Sequence, residues 1–154
     1  MTDPLLEIDN LSVAYATQGG TIAALRGASL VARAGEVIGI VGESGCGKST
    51  LAASIINLLP GNASVTCGEV RYRGRDILRL SAAAQRDLRG RSIAMIFQDP
   101  MTAFNPVLTM GEQLIDFQHA TDAGRSEKRR RAASLLARVG MPDPDLCLRR
   151  YPHE

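Results

Sequence analysis

Apolar positions keep three different rhythms along this chain. Leu6, Ile8, Leu11, Val13 and Tyr15 alternate in part with polar neighbours, so residues 5–16 predict one or two strand segments. Gln18-Gly19-Gly20 is a turn, residues 21–32 predict a second strand interrupted at Arg26-Gly27, and Ala34-Gly35 turns the chain again. The rhythm then changes to continuous apolar runs. Glu36-Val37-Ile38-Gly39-Ile40-Val41 and Ser92-Ile93-Ala94-Met95-Ile96-Phe97 both predict buried strands of the kind found in parallel sheets. Between them lie a helix over residues 51–59 closed by Pro60-Gly61-Asn62, a strand over 65–73, and a short helix over 81–88 with Ser81 as N-cap. Beyond a proline-bearing loop at 99–108 the period becomes helical. Thr109-Met110-Gly111-Glu112 reads as a capping box opening a helix to about Phe117. A further helix starts at Ser126, with Ala132, Leu135, Leu136 and Val139 as its apolar stripe and Gly140 as its stop. Residues 141–154 read as loop or the start of something further. The predicted architecture is α/β: an antiparallel β-region, a parallel-sheet core, then helices.

The chemistry sits between the first apolar run and the first helix. Gly42-Glu43-Ser44-Gly45-Cys46-Gly47-Lys48-Ser49-Thr50 is a complete G-x-x-x-x-G-K-[ST] loop in the strand–loop–helix context that such a loop needs. Its glycines let backbone N–H groups of residues 43–49 converge on a phosphate at the positive end of a helix. Lys48 adds an ammonium for the β- and γ-phosphates, Ser49 a hydroxyl for Mg²⁺, and Thr50 a donor for the α-phosphate. Lys48 is one of only two lysines, against 16 arginines, and a planar guanidinium would not fit that cradle. Cys46 reads as a small filler. A nucleoside triphosphate with Mg²⁺ is the expected ligand. A GTPase would need Asn-Lys-x-Asp, which the sequence lacks. A small-molecule kinase, or a nucleotide-binding remnant without catalysis, stays open at this point.

Composition narrows the classes. With 154 residues, 45% of them hydrophobic, the chain is long enough for a real core. A net charge of +2 gives no argument for nucleic acid. Spaced arginines between Arg71 and Arg91 read as a solvated strand and helix, since Tyr72 is the one aromatic among them. The run from Arg125 to Arg131 places positive charge at a helix start, against the helix dipole. Three scattered cysteines fit a reducing compartment rather than a disulfide framework or a zinc site. No apolar run approaches a bilayer span, and Met1-Thr2-Asp3-Pro4 does not read as a secretion signal. His119 and His153 stand alone and read as surface residues, and Met95 reads as core.

These residues resemble the ATP-binding subunits of ABC transporters. Tyr15 near the end of the first strand, the Gly42–Thr50 loop, and Gln98 at the end of an apolar run 50 residues beyond Lys48 all match that family's pattern. The stretch Phe97-Gln98-Asp99-Pro100-Met101-Thr102-Ala103-Phe104-Asn105-Pro106-Val107-Leu108-Thr109 is most similar to the branch importing dipeptides, oligopeptides or nickel. Tyr151-Pro152-His153-Glu154 resembles the segment just before the family's Leu-Ser-Gly-Gly signature.

The resemblance implies a P-loop NTPase fold. Residues 1–98 would form the β-subdomain and phosphate-loop core, and 99–154 the Q-loop and part of a helical subdomain. It implies ATP and Mg²⁺ as cofactors, Tyr15 stacking on adenine, and Gln98 contacting Mg²⁺ and water as a catalytic group beside Lys48. It implies a second ATPase subunit, identical or not, and integral membrane permease subunits docking near residues 99–118, where Met101, Phe104, Leu108 and Met110 are apolar. The subunit would be peripheral, at the cytoplasmic face of a bacterial or archaeal membrane. In relatives the signature, the aspartate of the Mg²⁺-supporting strand, the water-polarising glutamate and the switch histidine lie beyond the position matching residue 154. The expectation is therefore a partial nucleotide-binding domain that binds ATP weakly and turns it over negligibly.

Overall fold

Partial alternation builds a β-hairpin first. In the computed structural model, which describes residues 3–99, 103–119 and 121–154, β1 (Leu6–Thr17) and β2 (Gly20–Ala32) pair antiparallel across the Gln18-Gly19 turn. β3 (Ala63–Tyr72) adds to the other side of β1, and β4 (Arg75–Asp76) to β3, giving the order β2-β1-β3-β4. Strict alternation would put Ile8 and Leu11 on opposite faces, yet both are fully buried. A bulge reconciles them: the β1 register shifts between Ile8 and Leu11, where Asn10 takes φ 47°. The extra residue restores phase. Opposite it, only glycine fits at position 68, because a Cβ there would collide with the Asn10 carbonyl oxygen.

The sheet face so assembled holds Ile8, Leu11, Val13, Leu25 and Val70, and closes over Leu51 and Ile77. Leu51 comes from α1 (Lys48–Ile55), and Ile77 from a 3-10 turn, Ile77–Arg79. α2 (Ala82–Arg91) begins with the predicted Ser81 cap, whose Oγ accepts from Ala84 N at 3.3 Å, and breaks at Arg89-Gly90.

These elements belong to the first of two units, Met1–Met95; the second is Ile96–Glu154. In the second, α3 (Met110–Asp116), α4 (Arg125–Arg138) and α5 (Pro144–Cys147) bury Ile115, Ala132 and Leu148. The capping box is present as predicted. Thr109 Oγ1 accepts from Glu112 N at 3.3 Å, and the Glu112 carboxylate accepts from Thr109 N at 2.9 Å. α5 occupies part of the stretch predicted as loop, with Asp143 Oδ1 accepting from Leu146 N at 2.9 Å.

Several expectations need correction. Residues 36–41 and 92–97 are not strands. Among the described residues the only parallel pairing is an isolated bridge between Arg89 and Ile93. Apolar runs state a demand for burial, but a strand also needs a neighbour to take its N–H and C=O groups. Among the described residues neither run has a partner strand beyond the bridge at Ile93, and Val37, Val41 and Ile96 are 99%, 92% and 93% exposed. α1 starts three residues earlier than predicted and ends at Ile55, with Asn57 at φ 49°. In α4 the expected stripe is only partly buried: Ala132 is inside, while Leu135 and Val139 are exposed. Met95 is half-buried, and His119 and His153 are exposed as expected.

Candidate functional site

α1 begins without a cap. Its N-cap is Gly47, no side chain accepts from its first turn, and no acidic residue stands in that turn. The first i→i−4 bond runs from Leu51 N to Gly47 O at 2.8 Å, so the N–H groups of Lys48, Ser49 and Thr50 have no acceptor within the helix. A helix start in this state carries partial positive charge and unsatisfied donors, a natural anion seat. Gly47 has φ 99°, and a Cβ there would lie 2.6 Å from Ala24 O and 2.8 Å from Leu25 Cδ2. The loop can therefore press against β2 only as glycine.

Lys48 draws the loop together. Its Nζ donates to Gly42 O at 2.8 Å and Glu43 O at 2.6 Å, and lies 3.5 Å from Cys46 Sγ. The ammonium thus stands over the loop formed by Gly42, Glu43, Ser44, Gly45 and Cys46. Ser49 is exposed at the first turn. Thr50 is half-buried, and its Oγ1 is 3.1 Å from Tyr15 OH. Tyr15 packs its ring on the sheet core and reaches α1 with its hydroxyl. The structure so brings Tyr15 and residues 42–50 together. Gln98 is exposed, at the start of the second unit.

This donor set fits a polyphosphate and a hard cation. It offers free backbone N–H groups, one ammonium and two hydroxyls. Among the described residues no cluster of His, Cys, Asp or Glu could hold a metal by itself. A cation here would take oxygen from Ser49 and from the phosphates, as Mg²⁺ does.

Two contributors were invisible in the sequence. Arg89 Nη1 donates to Ile56 O at 3.2 Å and Asn57 O at 3.3 Å, fastening the C-terminal end of α1 from 32 or more positions away. In the second unit, buried Gln113 donates to Asn105 O and Leu108 O, both at 3.0 Å, and accepts from Asn105 N at 2.7 Å. It shapes the loop within the predicted partner surface. There Phe104, Leu108 and Met110 are half-buried, Phe104 stands 6.3 Å from the Phe117 ring, and Val107 and Phe117 are exposed. Met101 lies outside the described residues.

The chain is similar to known proteins. The chain is 45% identical to the dipeptide transport ATP-binding protein DppD of Bacillus subtilis (strain 168), over 99% of its own length and 46% of the relative's. It is 42% identical to the oligopeptide transport ATP-binding protein OppD of Mycobacterium tuberculosis (strain ATCC 25618 / H37Rv), over 98% of its length and 25% of the relative's. It thus spans less than half of the curated relatives it matches. Among solved structures, a dimeric structure of MJ0796, a bacterial ABC transporter cassette, superposes with a TM-score of 0.79 at 25% identity, covering 96% of this chain and 62% of that one. The family described as ABC transporter matches residues 25–154, and with that coverage this chain belongs to the ABC transporter family.

Proposed function

We propose that this chain binds ATP with Mg²⁺ and forms the nucleotide-holding part of the ATPase subunit of an importer for peptides (or nickel). The observation that carries this is the uncapped start of α1 beneath the Lys48 ammonium, in a member of a transporter family. The DppD and OppD relatives are named for peptide transport, and a second MJ0796 structure is described as bound to ADP and Pi.

Each residue then has a task. Backbone N–H groups of residues 43–49 and the Lys48 ammonium hold the β- and γ-phosphates. Ser49 ligates Mg²⁺, and Thr50 donates to the α-phosphate. Tyr15 offers part of its ring to adenine, and Gln98 orients water near the metal. When bound, Mg²⁺ supplies neutralisation of β/γ charge. A second ATPase subunit completes the site, permease segments dock near 99–118, and the subunit is peripheral at the cytoplasmic face of a bacterial or archaeal membrane. Among the described residues no helix is long and apolar enough to cross a membrane.

Isothermal calorimetry with Mg·ATP tests the reading. Binding is expected for the native chain and a loss of tenfold or more, roughly 1.4 kcal/mol, for Lys48→Ala. Equal affinities for the two, or no uptake by folded native chain, would overturn it. Hydrolysis by the 154-residue chain alone is expected to be negligible, because in-line attack also needs a carboxylate beside the water that Gln98 orients, and the residues assigned here include none. Lys48-dependent turnover at ordinary enzyme rates in a phosphate-release assay would refute that.

A further inference from the structure

We propose that the outward face of α4 is a docking surface for an anionic phospholipid membrane. Six basic residues stand on this helix, Arg125, Lys128, Arg129, Arg130, Arg131 and Arg138, against one acid, Glu127. That is +5 in a chain whose net charge is +2, leaving the remainder at −3. The chain's net excess of positive charge is therefore carried by one helix about 21 Å long.

This charge does little for the fold. Elsewhere several arginines are paired: Arg33 with Glu36 at 3.5 Å, Arg71 with Glu7 and Glu69, Arg79 with Asp76 at 3.0 Å, Arg91 with Asp87 at 3.1 Å. On α4 only Arg129 is paired, with Asp145 at 3.5 Å. Arg130, Arg131 and Arg138 are exposed and have no ion pair or hydrogen bond among the described residues. Five of the six cations, moreover, fall in the first two turns, toward the end where the helix dipole opposes positive charge. Their electrostatic energy is left to be satisfied by an external anion.

Geometry selects the anion. Ala132 marks the inner side of α4. Arg131 and Arg138, seven residues apart, share the outer side two turns from one another, with Arg130 beside the first. Leu135 is 46% exposed and Val139, just past the helix end, 77% exposed; about 60° and 20° round the helix from Ala132, they border this face on its inner edge. Guanidinium forks on a convex helix, with bare aliphatics along one edge, suit a plane of phosphates over acyl chains. A bound peptide would call for a groove, and single-stranded nucleic acid for aromatic platforms, neither of which this face offers. With only two aliphatics to insert, attraction is mainly electrostatic and binding is peripheral and salt-sensitive.

Vesicle flotation tests this, using phosphatidylcholine vesicles with and without one-third phosphatidylglycerol. The 154-residue chain is expected to float with the anionic vesicles at about 0.05 M salt and to release at about 0.5 M. Arg130→Gln/Arg131→Gln/Arg138→Gln, substitutions neutral for an exposed helix, should weaken binding roughly a hundredfold. Leu135→Ser/Val139→Ser should weaken it less. Arg26→Gln/Arg75→Gln/Arg86→Gln, which removes the same net charge from exposed sites outside α4, should change it little. Lys48→Ala should float like the native chain, so the result is separable from nucleotide binding. Binding to neutral vesicles alike, no binding to anionic ones, or an equal loss in the two arginine triples would overturn the proposal. So would tighter capture by poly-glutamate or single-stranded RNA than by the vesicles, which would reassign the face to that class.

Discussion

Gly47 shows how much one residue decides. Its φ of 99° and the 2.6 Å gap to Ala24 O leave no room for a methyl group on either the conformational or the steric count. Gly47→Ala should destabilise the first unit by about 2–4 kcal/mol, read as a lower midpoint in urea by circular dichroism. Tyr15 carries two separable roles, a hydroxyl bond to Thr50 and a ring face. Tyr15→Phe should cost about 1 kcal/mol of stability and leave Mg·ATP affinity nearly unchanged. Tyr15→Ala should lower the affinity as well; if Tyr15→Phe lost as much affinity as Tyr15→Ala, the hydroxyl and not the ring would be the binding group. At this scale the phosphate loop was legible because its nine residues are contiguous and each type has a chemical reason. Arg89 was not, because its partners at 56 and 57 meet it only through the fold.

At the scale of elements, local signals read well where the chain satisfies itself. Helix α3 is the clearest instance, since both halves of its capping box lie within four residues. Donation from Thr109 N holds the Glu112 carboxyl below the usual carboxylate range, helped by the Thr109 hydroxyl and by Arg125. A carboxylate with a lowered folded pKa adds stability that is present above its unfolded value, near 4.3 on average, and is lost as pH falls through the lowered value. Thr109→Ala should therefore destabilise the second unit by about 1 kcal/mol near neutrality. The difference from the native chain should shrink in thermal melts taken progressively below about pH 4. A gap that stayed constant down to strong acid would mean that the carboxylate does not contribute. Three strands of the sheet were legible too, apart from the bulge at Asn10; the two-residue β4 was not. The runs at 36–41 and 92–97 were misread for the converse reason: their β-character depends on a neighbouring strand, and no local pattern states whether one is there.

For the whole molecule those two runs set the solution behaviour. Apart from the bridge at Ile93, neither run is paired as a strand, and β-branched side chains stand in solvent, Val37 and Val41 in the first unit and Ile96 in the second. Unpaired N–H and C=O groups beside apolar side chains template intermolecular pairing, which relieves both deficits together. A net charge of +2, with 6 of the 18 basic residues gathered on α4, gives weak repulsion elsewhere on the surface. Light scattering on the purified chain should show association that grows with concentration. Val37→Lys/Val41→Lys should shift it to lower order, because a charge on an open edge penalises pairing without touching the buried sheet. The same substitutions on α4, Arg130→Gln/Arg131→Gln/Arg138→Gln, should worsen association by removing the remaining repulsion. A monodisperse native chain with a single sharp unfolding transition would show that the exposed runs are covered in solution. In that case their apolar character would stabilise the chain rather than drive it together.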